Sequence, residues 1–126
     1  MVAGRCLPLQ GPNAYVDIKL GTAVHLEAVT YEHLPPSVAP SATPTAPKTL
    51  AVYASLGASK LRSGDAPLLG TYSYDASSDA SLQTFAVSSS GLVDHVRVAV
   101  STRGGGGGGG NDLCCLYRIR VHGRLA

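Results

Sequence analysis

Apolar residues recur at every second position in this chain and nowhere hold a period of three to four. Ala14, Val16, Ile18 and Leu20 fall on one side of an extended run. Val96, Val98 and Val100 do the same further along. Successive side chains of a strand point to opposite faces, whereas a helix buries a stripe of period 3.6. The chain must therefore build its core from half-buried strands. Turn signals cut these strands short. Gly21 separates a run over 14–20 from one over 22–30, where Val24 and Leu26 keep phase, and so short a link predicts antiparallel neighbours. Further strands are predicted over 48–55, 68–74, 82–87, 93–100 and 115–123. Seven or so short strands with turns between them predict an all-β fold, an antiparallel β-sandwich.

Length and composition suit that fold. The chain has 126 residues, of which 44% are hydrophobic and 14% charged, enough for one domain with one core. The formal net charge is +2, with no basic run, so a nucleic-acid surface has no electrostatic footprint. No apolar run is long enough to span a bilayer. Met1 to Cys6 has no apolar signal-peptide core, so any targeting or membrane segment is expected outside this chain.

The connections are unequal. Residues 34–48 hold five prolines, Pro35, Pro36, Pro40, Pro44 and Pro47, which remove ladder donors and predict a long loop. Residues 56–67 also read as loop. Residues 104–110 are all glycine, with no side chain to pack, and predict a flexible loop.

No catalytic pattern accompanies this scaffold. His25, His33, His95 and His122 are scattered, and neither a nucleophile elbow nor a carboxylate pair stands beside them. The glycine run lacks the Lys-Ser/Thr of a phosphate loop. The chain is read as no enzyme, with no cofactor. Cys6, Cys114 and Cys115 show no metal-ligand spacing, so no metal site is expected. Cys114 and Cys115 are neighbours on a strand and face opposite ways, so at most one can comfortably reach Cys6. By alternation, Cys115, Tyr117, Ile119 and Val121 share one face of the closing strand, and Leu116, Arg118, Arg120 and His122 the other.

Several blocks, in order, resemble one family. The closing run Cys115-Leu116-Tyr117-Arg118-Ile119-Arg120-Val121-His122-Gly123 is similar to the C-terminal signature of the SUN domain. Val29-Thr30-Tyr31-Glu32-His33-Leu34-Pro35 resembles its Val-Thr-Leu-Glu-His-Val/Ile-Pro block. Thr45-Ala46-Pro47-Lys48, then Leu50-Ala51-Val52-Tyr53, and Leu68-Leu69-Gly70-Thr71-Tyr72-Ser73-Tyr74-Asp75, then Leu82-Gln83-Thr84-Phe85, resemble two more. Cys6 sits as the family's Gly-Asn-Cys-Trp cysteine does. Leu7 replaces the aromatic after it, residues 104–110 replace an Asn-Trp-Gly block, and Leu113 replaces a tyrosine.

The resemblance implies a sandwich of the galactose-binding-like jelly-roll kind, here the C-terminal two thirds of a SUN domain spanning residues 1–126. The family's N-terminal helix, its peptide lid and most of a cation-binding loop would lie upstream, so a monovalent cation is expected only in a full-length domain. SUN domains trimerise and bind the extreme C-terminus of KASH proteins, bridging the nuclear envelope from the lumenal side of its inner membrane. In that role the homotrimer and the membrane attachment belong to the full-length protein. By resemblance, Tyr117 and Thr45 lie near the peptide's terminal carboxylate, His33 lies in the groove, and Cys6 and Cys115 form a disulfide. Cys114 is then left over and is expected at the surface. A second function compatible with a jelly roll is a carbohydrate-binding module, for which tyrosines must serve, because the chain has no tryptophan and one phenylalanine.

Overall fold

The computed structural model describes residues 6–10, 14–38, 45–78, 80–102 and 113–125. The expected flexible loop over 104–110 and the middle of the Pro-rich loop lie outside the described residues. Among the described residues, eight strands and one short helix run in the order β1 (Leu7–Gln10), β2 (Ala14–Glu32), β3 (Thr49–Ser55), α1 (Ser59–Ser63), β4 (Leu68–Ser73), β5 (Leu82–Ala86), β6 (Leu92–Ser101), β7 (Leu113–Leu116) and β8 (Arg118–Leu125). Every strand pairing is antiparallel.

The organising element is β2. Gly21 was expected to turn the chain between two strands, but β2 runs through it without a break. Gly57 and Gly64 are the glycines with positive φ among the described residues, so Gly21 adopts no left-handed turn conformation. The extra residues are absorbed by a register shift between Lys19 and Val24 against β6. Such a bulge bends a strand and strengthens its twist. Val24 and His25 pair with both β6 and β8, so these two flank β2. From Ala28 to Glu32 the edge that β6 leaves is taken by β5, with β8 still on the other side. The first half of β2 thus completes a sheet with β6, β3 and β4, and its second half lies between β5 and β8. A separate two-stranded sheet joins β1 to β7.

The inner faces close on one core. Val96, Val98 and Val100 of β6, Leu50, Val52 and Ala54 of β3, and Leu26, Val29 and Tyr31 of β2 are all buried in it. Burying a valine or leucine side chain fully contributes about 1.5–3 kcal/mol. The alternation read from these segments is what delivers them to one side.

Two local expectations need correction. The segment 56–67 was read as loop, yet it contains α1, too short for a helical period to show. Leu61 is its buried residue, and Gly64, at φ +82°, ends it by donating its N–H to the Leu61 and Lys60 carbonyls. Left-handed φ is where glycine carries no Cβ penalty. The closing strand was read as continuous, but it breaks at Tyr117 into β7, paired with β1, and β8, paired with β2. The break shifts the phase. Cys114 and Leu116 are the buried pair on β7, while Ile119 and Val121 pack toward the core from β8. Cys115 and Tyr117 therefore do not share a buried face with them.

Gly123 marks the tightest approach of β8 to β2. A Cβ there would meet the Val24 side chain at 2.5 Å and the His25 carbonyl oxygen at 3.1 Å. Gly123→Ala should lower stability by about 1–3 kcal/mol through this overlap. Urea unfolding checks it, and an unchanged midpoint would show that β8 shifts freely.

Candidate functional site

The C-terminal half of β2 and the residues after it carry an aromatic and imidazole cluster. Tyr31 and His33 are two residues apart, a spacing that puts both side chains on one face of an extended chain. Tyr31 is fully buried and His33 nearly so. Tyr31 Oη lies 2.7 Å from His33 Nδ1. The same phenol donates to the Cys115 carbonyl at 3.3 Å and accepts the Tyr117 N–H at 3.3 Å. One phenolic proton thus faces two acceptors, and the tautomer of His33 decides which of them receives it. Burial pushes the Tyr31 phenol far above its ordinary pKa, partly opposed by the Tyr117 N–H, so it stays protonated.

Tyr74 closes the cluster from below. Its ring meets Tyr31 edge-on at 4.9 Å between centroids. Its hydroxyl accepts the His33 N–H at 3.2 Å and donates to the Ser81 carbonyl. Burial raises its pKa as well. Edge-to-face aromatic pairs of this kind contribute about 0.5–1.5 kcal/mol beyond their buried area.

On this platform stand two of the residues singled out in the sequence. His33 and Tyr117 meet edge-to-face, with ring centroids 4.9 Å apart and planes at 88°. Tyr117 is half-buried and packs against buried Leu34. Thr45 arrives from another segment. It is half-exposed and leads through buried Ala46 into β3. Tyr31 and Tyr74, which hold His33 and Tyr117 in place, were not singled out from the sequence. The two-residue spacing of Tyr31 and His33 was the available signal.

Cys6 and Cys115 are joined by a disulfide, with Cα atoms 5.4 Å apart and a sequence separation of 109. Closing a loop of that length contributes about 4–5 kcal/mol in the chain-entropy picture. It ties the start of β1 to the backbone that leads into Tyr117. Cys114 corrects the expectation of a surface thiol, since it is a buried free cysteine. It lies opposite Leu9 of β1, and burial pushes its thiol up to about 12. The phase shift at Tyr117 is the reason, because it turns Cys114 rather than Cys115 inward.

Across β5, β2 and β8 runs a polar ladder. Thr30 Oγ1 lies 2.8 Å from both Thr84 Oγ1 and His122 Nε2. Beside it Arg118, on the exposed side of β8, stands 3.9 Å from Glu32. Among the described residues no three His, Cys, Asp or Glu side chains gather as metal ligands. No helix of the described residues is long and apolar enough to cross a membrane.

An antiparallel sandwich pinned by a terminal disulfide, with a histidine–tyrosine pair seated beside it, defines the class. Residues 1–125 match the family described as Sad1 / UNC-like C-terminal, and the chain belongs to that family. It is 38% identical over 124 residues to SUN domain-containing protein 2 of Arabidopsis thaliana, covering 96% of this chain and 26% of that protein. It is 32% identical to SUN domain-containing protein 2 of Mus musculus, covering 98% of this chain and 16% of the relative. Klaroid protein of Drosophila melanogaster is 31% identical, with 96% of this chain and 12% of the relative covered. The chain thus spans about a quarter or less of these relatives. Among solved structures, the C-terminal domain of a chitobiase from Bacteroides fragilis superposes with a TM-score of 0.64 over 95% of this chain and 66% of that one, at 16% identity. That likeness concerns the fold alone.

Tyr31→Phe removes the phenol that serves His33, Cys115 and Tyr117 at once. It should cost about 1–3 kcal/mol, the range for buried polar groups left unsatisfied, measured by chemical unfolding. Cys114 should resist iodoacetamide at about pH 8, because the thiolate is the reactive form. Mass spectrometry should show alkylation there only when denaturant is present.

Proposed function

We propose that this chain is a non-enzymatic adaptor that binds the free C-terminus of a KASH-type peptide on the lumenal side of the nuclear envelope. The contact of His33 with Tyr117, beside the disulfide-tethered entry to β8, is the observation that carries this reading. A half-buried tyrosine offers a ring to pack and a hydroxyl that can donate to a carboxylate. Tyr31 holds the buried His33 ring and Tyr74 holds its backbone N–H, so the imidazole gives Tyr117 a fixed backing. Thr45 supplies a second hydroxyl. The peptide's upstream part would add as a strand, with main-chain bonds giving affinity and the carboxylate giving register. A disulfide belongs in an oxidising compartment, which the perinuclear lumen provides. In the full-length protein the domain would act as a homotrimer, attached to the inner nuclear membrane by other segments. Membership of the SUN-domain family supports each of these steps.

Titration calorimetry of the SUN domain with a KASH C-terminal peptide tests the reading. A free-carboxylate peptide should bind at least about tenfold more tightly than its amidated twin, a difference of about 1.4 kcal/mol. Tyr117→Phe should remove most of that preference. Equal affinity for the two peptides in the parent domain would overturn carboxylate capture.

A further inference from the structure

A cavity lies on the outer face of the sheet formed by β3, β6 and the first half of β2, and is also lined by residues in and just after α1. It encloses about 400 Å³. Ligand pockets run from roughly 300 to 1,000 Å³, so this is room for one small molecule. None of the residues of the peptide site lines it.

The pairing register explains why a hollow forms there. Tyr15, Ala99 and Ala51 sit side by side on β2, β6 and β3. One step along on the same face are Asp17, Arg97 and Tyr53. One step the other way are Ser101 and Thr49. Residues two apart on a strand are about 6.6 Å apart, so the flanking rungs stand about 13 Å from each other. The two alanines are the floor of a trough between taller side chains. Leu61, Gly64 and Ala66 line it from α1 and the residues that follow.

Arg97 brings spare N–H donors to one wall. Arg97 Nε and Nη2 donate to the two oxygens of Asp17 at 2.7 and 3.0 Å. Of its five N–H groups, three have no protein acceptor among the described residues. Its guanidinium lies 3.9 Å from the centre of the Tyr15 ring. Tyr15 is 48% exposed. Asp17 compensates the charge of Arg97, so the trough offers donors and aromatic surface without a net charge to hold an anion. The partner it fits is neutral, ring-shaped and rich in oxygen acceptors.

We infer that this trough is a binding site for a neutral saccharide of one or two rings, with the Tyr15 ring as its apolar surface and Arg97 and Tyr53 as its hydroxyl-binding groups. It is separate from the peptide site and does not rest on that reading. The orientation of Arg97 is set by Asp17, so the site is preformed, which keeps the ordering cost of binding low.

The test is amide correlation NMR of the full chain titrated with methyl glycosides of glucose, galactose, mannose and N-acetylglucosamine at millimolar concentration. At least one glycoside should shift the amides of Ala51, Tyr53, Arg97 and Ala99. Ala99→Leu fills the floor from the solvent side, and Tyr15→Ala removes an exposed ring. Both variants should keep the parent spectrum elsewhere, and each should weaken binding by about tenfold or more, that is about 1.4 kcal/mol. If one variant fails to fold, the other still reads the site. The inference is overturned if none of the four glycosides shifts these amides. It is equally overturned if the shifts gather around His33 and Tyr117, if both folded variants bind as the parent does, or if acetate or sulfate shifts these amides and the glycosides do not.

Discussion

The main sheet of this fold depends on the backbone hydrogen bonds of one strand. β2 lends its first half to β6 and its second half to β5 and β8. A sandwich needs its two sheets held at a fixed separation and angle, and a chain that belongs to both sets that geometry covalently. The same bend places Tyr31 inside the core and leaves His33 just beyond the strand end. The position of the candidate site is thus a property of the bend. The residues at the site then fix only its chemistry.

The network around Tyr31 shows how a buried polar group can organise a buried histidine and the half-buried tyrosine packed on it. Its hydroxyl touches the ring nitrogen of His33, the carbonyl of Cys115 and the amide of Tyr117. These come from segments more than eighty residues apart in sequence. A buried hydroxyl with fewer partners would cost more than it contributes, so the network favours one arrangement of all three. The disulfide acts on the same point from the other side, through Cys115. Rigidity supplied from within is what a groove needs if binding is to spend little free energy on ordering its own walls.

Much of this was legible in the sequence, for reasons that can be named. Alternation identifies Val96, Val98 and Val100 as inward because side-chain direction in a strand is local. Family resemblance assigned His33 and Tyr117 to one peptide site, but their ring contact was not read from the sequence, since nothing local links residues so far apart. What escaped was set by register. Gly21 looks like a turn, but a bulge needs a small residue equally well, and only the pairing of β6 on both sides of it tells the two apart. The break at Tyr117 exchanges the roles of Cys114 and Cys115, and no composition rule marks it. The outer trough escaped because Ala51 and Ala99 become neighbours only in the paired sheet. Alone, each reads as an unremarkable strand alanine.

The burial of Cys114 bears on how the chain reaches its native state. Before β1 and β7 pair, Cys114 and Cys115 are adjacent thiols with equal access to Cys6. Once Leu9 lies opposite Cys114, the spare thiol is shut away and held protonated. Exchange between thiols and disulfides requires an attacking thiolate, so the finished sheet protects its own bridge from rearrangement. Oxidation that outruns strand pairing would trap the neighbouring cysteine instead, turning Cys115 loose and pulling the wrong residue toward β1. Correct bridging is therefore a matter of timing, with the two-stranded sheet acting as proofreader.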